Sequence, residues 1–134
     1  MRKYLMITVA MLLLSGCQES LEDRAAREVV EYTQKYCPQK LNDFTTLDSL
    51  TFDKATLTFT QYLTLSGNAD NAERAREMNG QIKEEMVQAV ITDTSQKRYK
   101  DEGYSFRFVA RSQKDKNVIL YQTTITKEDY QRSR

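Results

Sequence analysis

The sequence predicts a two-layer α+β domain in the order α-β-β-α-β-β, with a four-stranded antiparallel sheet carrying two helices on one face. Three observations lead there. Apolar residues recur at three- and four-residue spacing near residues 20–36 and 71–91. Each of these stretches is followed by segments in which the period falls to two and threonine and aromatic residues accumulate. The connections leave little room for parallel crossovers, so antiparallel pairing is the economical arrangement.

Residues 1–16 are set apart from that fold. Arg2 and Lys3 give a positive start, and residues 5–14 form an apolar run broken only by Thr8. That run is about half of the roughly 20 residues a spanning helix needs, which fits an export signal. It ends in Leu14-Ser15-Gly16-Cys17, which resembles the lipobox of bacterial lipoproteins. The resemblance implies that Cys17 becomes the acylated first residue of the mature chain, palmitate being a typical chain, with the membrane as partner through this anchor. Two or three acyl chains at about 0.8 kcal/mol per buried methylene hold a protein on a bilayer durably. Gln18, standing where an aspartate would signal inner-membrane retention, implies the outer membrane. Glu19, Glu22 and Asp23 resemble a surface-export signal, but equally suit the first turn of a helix, so the periplasmic and external faces both stay open.

The elements follow in order. Residues 17–20 make a lipidated N-terminus and short tether, residues 21–130 a single domain, and residues 131–134 a fraying tail. Leu21, Ala25, Val29, Tyr32 and Tyr36 line one stripe of the first helix, with Tyr32 and Tyr36 assigned to the core. Ser20 with Asp23 three residues on forms a capping box, and Pro38 ends the helix. Leu50 and Phe52, then Leu57, Phe59, Leu63 and Leu65, alternate with polar residues as a hairpin. After Ser66-Gly67-Asn68, Ala75, Met78, Ile82, Met86, Ala89 and Val90 mark the second helix, in which Gly80 suggests close approach to a strand. Lys97, Arg98 and Lys100 read as a solvated loop. A last hairpin pairs residues 104–110 with 118–125, and Thr126-Lys127-Glu128-Asp129 opens a capped final turn.

Composition excludes several chemistries. The 134 residues contain no histidine and two cysteines, so neither a Ser-His-Asp nor a Cys-His site nor a four-thiolate metal site can form. Removing the signal takes away Arg2 and Lys3 and leaves 118 residues with a formal charge of −1, which argues against a nucleic-acid partner. With Cys17 acylated, Cys37 is a lone thiol, read as a buried structural residue. No catalytic residue, metal ligand or cofactor other than the covalent lipid is expected.

The candidate interaction surface is the polar face of the sheet, assigned to Thr58, Thr60, Tyr62, Arg107, Arg111 and Tyr121, because tyrosine and arginine favour protein interfaces. The order Cys37-Pro38, Thr46-Leu47-Asp48-Ser49, Tyr62 and an aromatic C-terminal hairpin closing on Ile125-Thr126 resembles small uncharacterised exported bacterial proteins. That resemblance implies the fold and no activity. The expected function is a non-enzymatic binding or structural module of the cell envelope, with a protein or envelope-component partner. Two alternatives are an immunity or inhibitor lipoprotein that docks a loop into an enzyme, and a carboxylate hydrolase using Asp43 or Asp48.

Overall fold

Five strands, rather than four, pair in the order β1-β2-β3-β4-β5. They are β1 (Gln39–Asn42), β2 (Thr45–Asp53), β3 (Thr58–Leu65), β4 (Ser105–Ser112) and β5 (Ile119–Ile125). This computed structural model describes residues 18–131, so the signal peptide, Cys17 and the tail beyond residue 131 lie outside the described residues. Pairing is antiparallel except between β3 and β4, which run parallel from Thr58↔Ser105 to Leu65↔Ser112. The expected all-antiparallel sheet is corrected at that seam. The 39 residues between β3 and β4 suffice for the helical crossover that parallel strands require.

Helix α1 (Leu21–Tyr36) starts at the predicted cap, with Ser20 Oγ accepting from the Asp23 backbone N–H, and stops at a cis Cys37–Pro38 peptide. It packs on β2 and covers an exposed edge there. The edge strand β1 is four residues long and stops opposite Leu47, leaving the outer groups of Leu50 without a strand partner. The Thr33 hydroxyl takes the Leu50 N–H at 2.9 Å and donates to its carbonyl at 3.3 Å, an edge closed by a side chain.

The crossover contains α2 (Ala72–Glu77), α3 (Asn79–Thr92) and α4 (Lys97–Asp101), and the chain closes with α5 (Lys127–Gln131). The single helix expected over residues 71–91 is therefore two, parted at Met78, where Asn79 and Gly80 both disfavour helix. Apart from its chain neighbours and its own helix backbone, nothing lies within 4 Å of a Cβ built on Gly80, so the expected close approach to a strand is absent. A glycine that does meet a close neighbour is Gly67: its φ is +56° and a Cβ there would sit 3.1 Å from the Phe44 ring in the β1–β2 turn. Nor are residues 97–101 a solvated loop. Lys100 is 8% exposed, and its Nζ donates to the last carbonyls of α3, Val90 at 2.7 Å and Ile91 at 3.1 Å.

All the helices cover one sheet face, as the sequence implies. Leu47, Phe59, Leu63, Phe106, Phe108, Ala110, Tyr121 and Ile125 point to that side and pack with Ala25, Val29, Val87, Val90 and Tyr99. Phe59 is the hub of an aromatic cluster with Phe52, Tyr99, Tyr104 and Phe106. Tyr104 is core, whereas Tyr32 and Tyr36, expected there from the sequence, are exposed, with their rings tilted at 46° and 4.8 Å apart. None of the helices among the described residues is long and apolar enough to cross a membrane.

Candidate binding cleft

The two layers do not close over the middle of the sheet. Helix α1 covers β2 and α3 lies towards β5, leaving between them a cleft of about 700 Å³ with strands β3 and β4 as its floor. Leu63, Leu65, Phe106 and Phe108 form part of that floor, Val29 stands on the α1 wall and Met86 on the α3 wall. Strand alternation accounts for the floor, since one phase of β3 and one of β4 carry its side chains. From Phe59 to Leu65 the floor is about 20 Å long at strand rise, the length of about 13 helical residues. The mouth is apolar as well: Tyr32 and Leu41 line it and are 36% and 49% exposed. Tyr32 is held there by donating from its hydroxyl to Gln39 Oε1 at 2.8 Å.

Polar groups enter this mainly apolar cleft at several points, Asn42, Thr45 and Ser95 among them. Gln61 stands on the floor in register with Leu50 and Phe108. Tyr121 is 6% exposed, lines the cleft, and its hydroxyl has no hydrogen-bond partner among the described residues. Burial holds that hydroxyl above the ordinary tyrosine range; the nearby Thr123 side chain opposes the shift without reaching hydrogen-bonding geometry. Gln96 Oε1, also on the lining, is a second buried atom without a partner. Among acids, Glu28 is engaged by Arg24 at 2.6 Å and by the Tyr99 hydroxyl at 3.0 Å; burial, then the Glu28 carboxylate, pushes Tyr99 up to about 12. Glu85 and Asp93 are exposed on the lining and form no ion pair among the described residues.

The sequence-predicted surface is divided by the sheet. Thr58, Thr60, Tyr62, Arg107 and Arg111 lie together on the face away from the helices, in the rows Thr58↔Ser105, Thr60↔Arg107, Tyr62↔Val109 and Thr64↔Arg111. Tyr121 does not belong with them: it pairs with Ala110, on the helix-covered face, and enters the core. A one-residue difference in phase separates the two faces. The cleft itself went unread in the sequence, although one signal for it was present. Gln61 is the polar interruption in the apolar phase Phe59, Leu63, Leu65 of β3.

Geometry for catalysis is not assembled from the predicted acids. Asp48 accepts from the Thr64 hydroxyl and Asp43 lies in the β1–β2 turn, and neither lines the cleft. Among the described residues there is no group of three or more acidic, cysteine or histidine side chains that could hold a metal. Cys37 packs against the core, and burial, with the Asp48 charge beside it, pushes its thiol up, away from the reactive thiolate.

Residues 20–121 match a domain of unknown function, DUF8479, and residues 1–18 match the prokaryotic membrane lipoprotein lipid attachment site. The chain is thus a lipoprotein, lipid-anchored in the bacterial envelope, as the lipobox implies. No curated protein matches it in sequence. In fold it is similar to a protein of Pseudomonas aeruginosa inferred to be secreted, with a TM-score of 0.66 at 13% identity over 84% of this chain and 99% of that one. It is also similar to the type II secretion system pilotin AspS of Vibrio cholerae, with a TM-score of 0.57 at 17% identity over 81% and 91% of the two chains. The type 2 secretion system pilotin EpsS of Vibrio vulnificus gives 0.59 at 12% identity over 82% and 91%. At these identities the likeness is one of fold.

Proposed function

The chain belongs to the DUF8479 family, and from that membership, its lipid attachment site and its cleft we propose a non-enzymatic, outer-membrane-anchored module that captures an apolar helical segment of a protein partner. The observation that carries this reading is the cleft between α1 and α3, open at its mouth and apolar along its floor. A large apolar surface left uncovered costs stability and is retained where something binds. Its length suits the apolar face of a helix of three to four turns, which is the helix-in-groove mode of recognition. The fold shared with two type II secretion system pilotins supports a role beside an envelope assembly, and the lipid on Cys17 keeps the cleft at the membrane without any cofactor. The polar sheet face bearing half-buried Thr58, Tyr62, Arg107 and Arg111 is proposed as a second contact surface for the same partner; Thr60, expected to belong to it, is 6% exposed because its neighbours on the sheet cover it, and it drops out. The rows of that face are contiguous, and Arg111 is already braced by the Lys116 carbonyl at 3.1 Å.

Photo-crosslinking in intact cells from a probe at Met86, compared with one at exposed Lys116, tests the reading. A discrete protein adduct from Met86 that is absent from Lys116 is expected. Adducts with lipid alone, or the same adducts from both positions, would remove the cleft from the function.

A further inference from the structure

The cleft's unsatisfied polar atoms and the charge of its rim specify the chemistry of the segment, an inference that rests on the binding role proposed above. A purely apolar helix would leave the Tyr121 hydroxyl and Gln96 Oε1 buried and unpaired, and would desolvate the Gln61 amide as well. Leaving a buried polar group unpaired is costlier than never having placed it there. A matching occupant therefore presents hydrogen-bonding side chains inside its apolar face. The rim adds a sign. Glu85 and Asp93 line the cleft, are exposed and carry no ion pair among the described residues. Among the described residues Arg107 is the single base on the lining, and strand alternation between Phe106 and Phe108 directs its side chain to the opposite face. The rim is thus acidic on its α3 side, opposite the apolar Tyr32 and Leu41.

We infer that the cleft is built for an amphipathic helix with an amide or hydroxyl side chain within its apolar face and lysine or arginine at its flanks. Gln61, Gln96 and Tyr121 select the inward polar group, while Glu85 and Asp93 select the basic edges.

The test uses the acylated mature protein in lipid nanodiscs and fluorescent 14-residue helical peptides that share one leucine face. The peptides differ in flanks, lysine against glutamate, and in one inward position, asparagine against leucine. The lysine-flanked asparagine peptide should bind tightest, with each flank reversal costing about threefold to fivefold at low salt. Glu85→Lys should reverse the flank preference. Tyr121→Phe, which removes a hydroxyl without a partner and leaves the fold intact, should erase about a tenfold preference for asparagine. If all the peptides bind equally, the helix-in-groove role stands and this inference is overturned. If none binds, or if nanodisc lipid displaces all of them, the binding role falls and takes this inference with it.

Discussion

Single side chains fasten this fold at points where backbone groups would otherwise stay unpaired. Lys100 is the clearest case, an amine buried at 8% exposure whose role is to receive the C-terminal carbonyls of α3. Lys100→Met keeps the apolar stem and removes the donor, so thermal or urea unfolding should show a loss of about 1–3 kcal/mol. A neutral result would mean that water caps those carbonyls instead. Tyr130 acts similarly: its hydroxyl sits 2.9 Å from the Tyr104 carbonyl and 3.2 Å from that of Lys100, joining α5 to α4 and the entry to β4. Tyr130→Phe is expected to cost about 1 kcal/mol in the same assay. Neither role was legible beforehand. A lysine between Tyr99 and Asp101 looks solvated in sequence, because the carbonyls it serves belong to a helix ten residues earlier. Gln61 was legible in principle, since its polarity breaks the phase of an otherwise apolar strand face, a pattern that marks a purpose other than core packing.

At the level of elements, period and capping identified α1, β2, β3, β4 and β5, and what they could not convey was pairing. Hydrophobic alternation says which face of a strand is buried but not which neighbour it has, so the parallel β3–β4 seam was missed. Strand β1 escaped because four residues carrying Gln39, Lys40 and Asn42 offer no alternation to read. The break at Met78 has a testable consequence. Gly80 opens α3 with free space around it, so Gly80→Ala should stabilise the domain by about 0.5 kcal/mol through helix propensity alone; a destabilised variant would show that the bend needs glycine.

Acid sensitivity is also an element-level property here. Asp70, before α2, accepts the Lys114 backbone N–H at 3.1 Å, and hydrogen bonds from Ser112 and the β4–β5 turn hold its carboxyl below the usual range. Asp23 is held low by Lys54 and Ser20. A carboxyl depressed in the folded state contributes stability above its unfolded value, near about 3.9, and loses it as pH falls through the folded value. The unfolding midpoint should therefore decline below about pH 4, and Asp70→Asn should flatten that decline while lowering the midpoint at pH 7. An unchanged acid limb in the variant would show that the turn is held by other contacts.

For the whole molecule, the cleft sets packing against recognition. A domain of 118 mature residues has little core to spare, yet this one keeps α1 and α3 apart over β3 and β4 and leaves Leu41 and Tyr32 exposed at the opening. If stability alone had shaped it, larger side chains on α3 would fill the gap, since burying apolar surface is the main favourable contribution to folding. Ala89 faces the cleft from α3 and is the place to make that change. Ala89→Phe adds a ring to a wall with room for it, so the unfolding midpoint should hold or rise. Binding of the lysine-flanked helical peptide should fall by more than about tenfold, because the ring occupies the volume an anchor side chain needs. The paired readout separates the explanations: reduced binding with reduced stability would indicate a damaged fold, whereas undiminished binding would mean that the helix does not enter between α1 and α3.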